Sequence, residues 1–318
     1  MANHTEIVCV LLDGCPAGLP LQQSDFVEDM ERRKGGKQKG TTPRQEDDIP
    51  FFKSGVFNHT TTGAPLMLLF ENNNTRSGDY EKQRAVPRPG HADFTANQKF
   101  GGFEDYRGGG HFSGRLTAGL VGAGVVAKKI LNGIEIKASI LSIGGEKDIE
   151  KGIQNAIDQK DSVGGIVECV VKGLPIGLGE HFFDSVESLI SHAVFAIPAI
   201  RGIEFGTGFA AANMFGVEHN DAIIDATGKT KTNHAGGVVG GYTNGNDLVF
   251  RIAVKPTSST PKTQHTWNWE TNVQEDFSVK GRHDLCIALR VPVVLEAVTA
   301  MVIADLMMID QRIPRIIK

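Results

Sequence analysis

The chain has 318 residues, 37 Asp and Glu against 33 Lys and Arg, a formal net charge of −4 at pH 7, and 40% apolar and 22% charged residues. Such a chain can bury a sizeable core as one large or two average domains, and its acidic balance excludes a general nucleic-acid binder. Its 38 glycines follow no fixed period, which excludes collagen and repeat architectures, and Cys9, Cys15, Cys169 and Cys286 fall at no metal-ligand spacing behind no signal-peptide pattern, so free thiols, no metal and a cytoplasmic location are expected.

In chain order, the first departure from average composition is residues 30–46, where Arg32, Arg33, Lys34, Lys37, Lys39 and Arg44 face only Glu31 and Glu46. A basic run on an acidic protein suits the steering of a small anion or a solvated loop. Residues 88–117, RPGHADFTANQKFGGFEDYRGGGHFSGRLT, gather Arg88, Arg107 and Arg115, His91 and His111, and the run Gly108, Gly109, Gly110. Forked cations, imidazoles that titrate near neutrality and backbone able to approach a ligand read together as the wall of a site for a multiply charged anion. Ser113 and Arg115 stand just before a helix predicted over residues 117–132, where free N–H groups favour an anion, and the small residues of that helix permit close packing.

Ile134, Ile136, Ala138 and Ile140 alternate as a half-buried strand, residues 148–160 read as a mostly polar helix, and Val186, Leu189, Ile190, Ala193 and Val194 follow helical spacing. Asp184 with Glu187 predicts the capping box of that helix, and Pro198 its stop. The NHAGGVVGG stretch at residues 233–241 suits a packed turn or a backbone cradle, and Leu248, Phe250, Ile252 and Val254 form a second half-buried strand. Lys255, Pro256, Thr257, Ser258 and Ser259 follow it as a turn or a phosphate grip. Arg282, His283 and Asp284 precede an apolar run. If they lie in a strand, Arg282 and Asp284 share one wall as a cation and a base. Glu296 and Asp305 interrupt residues 291–308, which makes that run a buried or interface helix rather than a membrane span. The class is α+β.

In this order, His4, VCVLLDGCPAGLPL, TTPRQE, SGVFNHTTTGAPL, RPGHADF, KFGGFEDYRGGG, GLPIGLGE, NHAGGVVGG, KPTSS and GRHDLCIALR resemble the chorismate synthase family over nearly the whole chain. The resemblance implies a single domain over residues 1–318, with helices between two antiparallel β-sheets, assembled as a homotetramer without nucleic acid or membrane. It implies anti 1,4-elimination of phosphate from 5-enolpyruvylshikimate 3-phosphate (EPSP) to give chorismate, the last step of the shikimate pathway. Reduced FMN is required without net redox, and NADPH enters as its reductant if the enzyme is bifunctional. By resemblance His4 is a general acid at the leaving phosphate, His91 lies near the flavin, and Asp284 helps take a proton from it. Arg33, Lys39, Arg88, Arg115 and Arg282 would cage EPSP. FMN would touch His111, Phe112, Ser113, Pro198, Ala199, Gly240, Lys255, Pro256, Thr257, Ser258, Ser259 and Arg282.

The chain departs from the family pattern at several of these places. MANHT stands where a strand and GESHG are usual, so an opening strand is expected to be missing. HFSGRLT replaces RSSARET, Lys39 and Pro198 replace an arginine and an asparagine, and Leu285 replaces a proline. Two readings follow: an active chorismate synthase, or a truncated or degraded homologue that binds flavin and phosphate ligands with little or no turnover. An NADPH oxidoreductase lacks its strand-linked GxGxxG.

Overall fold

The computed structural model describes residues 6–36, 38–43, 46–73, 84–279 and 283–318. Two antiparallel sheets form the outer layers. The first contains β1 (Ile7–Leu12), β2 (Phe51–Ser54) and β3 (Leu66–Glu71) in the order β1-β3-β2. The second contains β4 (Glu135–Ile143), β5 (Gly165–Lys172), β6 (Ile200–Phe205) and β7 (Leu248–Val254) in the order β4-β5-β7-β6. Each sheet buries one face, as period-two alternation requires: Leu66, Leu68 and Phe70 on β3, and Leu248, Phe250, Ile252 and Val254 on β7.

The two longest helices fill the space between. α1 is Val27–Arg33, α2 Asp93–Phe100, α3 Thr117–Ile130, α4 Ile149–Gln159, α5 Val186–Val194, α6 the single turn Gly216–His219, and α7 Val291–Ile309. α3 packs on β1 and β3, α7 on β4 and β5, and the two pack on each other, so one hydrophobic core runs through both sheets. Gly124 sets that approach. A Cβ built there would lie 2.2 Å from Ala297 Cβ, so α3 and α7 meet backbone to backbone. The stretch Ile287–Ile309 is long and apolar enough to cross a membrane, yet 67% of its most apolar window is buried between the sheets. Glu296, in its middle, is neutralised within the fold by Arg32 and Lys128 and accepts the Ala138 N–H.

Two local expectations are corrected. Helix α5 is capped by Ser185, whose hydroxyl accepts the Ser188 N–H, while Asp184 lies in the preceding 3₁₀ turn Phe182–Asp184. Residues 283–286 form no strand, so the shared wall inferred from strand alternation does not arise that way. Leu285 and Cys286 donate to the Gly40 carbonyl, and a 3₁₀ turn, Ile287–Arg290, leads into α7. The NHAGGVVGG stretch is a packed turn: a Cβ on Gly236 or Gly237 would strike the backbone of Gly206 or Asp247.

Candidate active site

A cleft opens whose wall is drawn from seven separate parts of the chain: Arg33 and Lys34 at the end of α1, Glu46 and Asp48, Arg88 and His91, residues 112–115, Pro198 and Ala199, Lys255 with residues 257–259, and His283, Asp284, Ile287 and Arg290. Arg33, Lys34, Arg88, Arg115, Lys255 and Arg290 bring six cations against the three carboxylates of Glu46, Asp48 and Asp284. The wall is therefore suited to a ligand with several negative charges. Phe112, Pro198, Ala199 and Ile287 add an apolar strip beside the cations. Ala199 is held at φ 74°, a left-handed conformation uncommon for alanine, and its carbonyl accepts the Lys255 N–H at 2.9 Å.

Around Arg88 the side chains are tightly coupled. Asp93, at the start of α2, receives Arg88 Nε at 2.8 Å and Nη2 at 2.8 Å, and binds His91 Nδ1 at 2.5 Å. Burial would raise the Asp93 carboxyl, but hydrogen bonds and charge from Arg88 and His91 outweigh it and hold the group well below the ordinary carboxylate range. Arg88 Nη2 also lies 3.1 Å from His91 Nδ1 and 3.3 Å from Nε2, so guanidinium and imidazole are in direct contact. Gly109, at φ 84°, brings backbone against this ring, where an added Cβ would lie 3.5 Å from the imidazole. Lys255 Nζ donates to the Gly90 carbonyl and to Ser258 Oγ, and burial, then the nearby Arg201 cation, lowers its pKa. Arg88 Nη1 donates to Ser259 Oγ at 3.2 Å.

On the opposite side, Asp284 accepts the Thr42 N–H at 2.9 Å and Arg290 Nη1 at 3.0 Å. Arg290 Nε in turn donates to the Arg33 carbonyl at 2.8 Å. Arg33 and Arg115 share the carboxylate of Asp48. The guanidinium of Arg33 is wholly buried; desolvation pushes its pKa down to about 10, against the attraction of Asp48. Its Nε and Nη1 have no hydrogen-bond partner among the described residues. Buried, unmet donors on a charged group are costly, and an anionic ligand in the cleft would satisfy them.

Most of the residues predicted from sequence meet here: Arg33, Arg88, His91, Phe112, Ser113, Arg115, Pro198, Ala199, Lys255, Thr257, Ser258, Ser259 and Asp284. Four do not line the cleft. Lys39 reaches over the surface to Gln154, and Pro256 packs beside Gly164. Gly240 sits in the turn between Val238–Val239 and Tyr242–Thr243, and His111 turns to an adjoining cavity with Tyr106 and Trp269, its ring 6.1 Å from that of Phe100. His4 and Arg282 lie outside the described residues. Sequence reasoning named Lys34 only as one of a basic run and did not single out Asp48, Asp93 or Arg290; the acidic run at residues 46–48, directly behind the basic segment, was the one available signal.

The sequence model of the family described as Chorismate synthase matches residues 2–308. The chain belongs to the chorismate synthase family. A relative from Chitinophaga pinensis named "Chorismate synthase" is 71% identical over 317 residues, covering 99% of this chain and 95% of its own. Relatives of the same name from Dehalococcoides mccartyi and Korarchaeum cryptofilum are 43% and 41% identical, covering 99% and 98% of this chain and 95% and 94% of theirs. A solved structure described as "Crystal Structure of Chorismate Synthase" superposes with a TM-score of 0.71 at 25% identity, over 97% of this chain and 90% of the other. Chorismate synthases are carbon–oxygen lyases, and near-full-length identity to named family members favours the active enzyme over a degraded homologue.

Proposed function

We propose that the cleft binds EPSP beside reduced FMN, and that the chain eliminates phosphate from C3 and hydrogen from C6 of EPSP to release chorismate and inorganic phosphate. The observation that carries this reading is the buried, half-satisfied guanidinium of Arg33 in a wall of six cations. A substrate with a phosphate and two carboxylates supplies the acceptors that such a wall lacks.

The apolar strip of Phe112, Pro198 and Ala199 beside the donors of Ser113, Lys255, Thr257, Ser258 and Ser259 fits a planar ring carrying a phosphate, so these residues would hold FMN. Bound in reduced form, the flavin would lend electron density to the breaking C3–O bond and take it back with the C6 hydrogen, with no net redox change. Arg33, Arg88 and Arg115 orient EPSP and stabilise the charge that leaves with phosphate. His91 holds or releases a proton while Asp93 fixes its tautomer, and Asp284, aimed by Arg290 and the Thr42 N–H, serves as a proton acceptor. By family resemblance, His4 is the general acid at the leaving phosphate and Arg282 a further cation. NADPH as a reductant of the bound flavin belongs to the same reading.

The whole chain acts as one domain in a cytoplasmic homotetramer. Support for assembly comes from large exposed apolar side chains between β5 and β7, among them Phe182, Phe183, Phe209, Phe215 and Val217, whose burial a partner copy would provide. Light scattering is expected to give a four-chain mass; a monomer overturns that part. The function itself is tested by an anaerobic assay with EPSP and photoreduced FMN, following chorismate and phosphate. Equal amounts of the two products are expected, and absence of product with EPSP binding intact refutes it.

A further inference from the structure

We infer that Asp48 is a positioning residue, which aims Arg33 and Arg115 together at one anionic group of the substrate. The inference rests on the assignment of the cleft to EPSP. The Asp48 side chain is 0% exposed, and its carboxylate is split: Oδ2 takes Arg33 Nη2 and Oδ1 takes Arg115 Nη1. A carboxylate present only to neutralise a buried arginine takes both prongs of one fork. Asp48 instead spans two forks and fixes the angle between them.

The two arginines are left in different states. Arg115 is further held, with Nε donating to Asn72 Oδ1 at 2.7 Å and Nη2 to the Glu71 carbonyl at 3.1 Å. Arg33 keeps Nε and Nη1 buried and unmet among the described residues, within the lining of the cleft. Its backbone is anchored independently by Arg290, so Asp48 determines where the head points. The chain turns to make this contact: Asp48 sits at φ 55°, in the left-handed region that Asp and Asn tolerate better than most residues. Burial would raise its carboxyl, but the charges of Arg33 and Arg115 prevail and its pKa is lowered. Two cations sharing one carboxylate leave a single net positive charge, so the guanidiniums can stand together and still attract an anion.

The test is Asp48→Asn, which preserves size and tolerance for left-handed backbone. Its amide accepts from one guanidinium and turns an NH₂ toward the other, so the aim is lost. EPSP dissociation constants from isothermal titration calorimetry are expected to weaken roughly tenfold or more, the loss of one charge-assisted contact, and in steady-state assays the loss falls on KM more than on kcat. Tighter EPSP binding, from the added net positive charge, would overturn the inference in favour of simple charge balance. Unchanged EPSP affinity with a lowered melting temperature would overturn it in favour of a purely structural role. Should the single variant fail to fold, Arg33→Met is compared with Arg33→Met/Asp48→Asn. Arg33→Met alone is expected to lose EPSP affinity about tenfold or more, and because Asn72 and the Glu71 carbonyl still hold Arg115, adding Asp48→Asn should cost little further; undiminished affinity of Arg33→Met, or a further tenfold loss or a gain on adding Asp48→Asn, refutes the proposal. Absence of EPSP binding to the unaltered protein would overturn the assignment of the cleft as well, whereas intact wild-type binding beside an unaffected variant overturns this inference alone.

Discussion

Asp93 restrains a cation and an imidazole of the cleft at once, through Arg88 and His91. Asp93→Asn keeps the shape but removes the charge that favours one tautomer of His91, and turnover is expected to fall about a hundredfold in the EPSP assay, the lower end of the range ascribed to positioned proton transfer. The same substitution should lower stability in a pH-dependent manner. The folded pKa of Asp93 is depressed, so its contribution is complete above the unfolded carboxylate value of ~3.9 and is lost as pH falls below it through the folded value. Urea midpoints of wild type and variant should therefore differ throughout pH 5–8 and converge only in acid. His91→Ala is expected to lower kcat about a hundredfold while EPSP affinity stays within a few-fold; a large loss of affinity would place His91 among the substrate cations. Arg88, His91 and Arg115 were legible in the sequence because forked cations and an imidazole around a glycine run have few structural uses, and Lys255 because it leads a Pro-Thr-Ser-Ser turn after a strand. Asp48 and Asp93 were not, since a carboxylate in a loop or at a helix start reads as solvated until its arginines are placed against it. Histidine also misled: His111 has the same titratable ring as His91, and only the chain path turns it away.

Elements were read from periodicity where packing is one-sided. β4 and β7 bury one face more deeply than the other, so alternation survives in their sequences, and α4 is capped by Asp148, whose side chain accepts the Lys151 N–H. The missed details were decided by single hydrogen bonds. Ser185 and Asp184 are both good caps, and the pattern alone does not choose between them. Within α7, Glu296 was visible as an interruption, but its partners on α1, α3 and β4 were not. It accepts from Arg32 Nη1 and Nη2 at 2.7 Å each and from Lys128 Nζ at 2.8 Å. Glu296→Ala leaves Arg32 and Lys128 to share Asp29 alone and strands the Ala138 N–H. Because Arg32 can still reach water, the cost should lie toward the lower end of the ~3–5 kcal/mol typical of a broken buried pair, measured by urea unfolding.

At the scale of the molecule, the cleft exists only when both sheets and the helices between them are joined, because its wall comes from residues as distant in sequence as Arg33 and Arg290. EPSP should then bind the folded state alone, and at a hundred times its dissociation constant it should add about 2.7 kcal/mol of stability, read as a rise in melting temperature. The order of the second sheet has a further consequence, for synthesis. β7 lies between β5 and β6, yet it is made after both. Until residue 254 has left the ribosome, β5 and β6 each carry a vacant edge where β7 will insert, and α7, which covers β4 and β5, follows later still. From the completion of β6 at residue 205 until residue 254 the nascent chain therefore carries two templates for pairing with its neighbours. Production at lower temperature, which slows association between such chains, should raise the soluble fraction, whereas chains ending before residue 248 should be insoluble at any temperature.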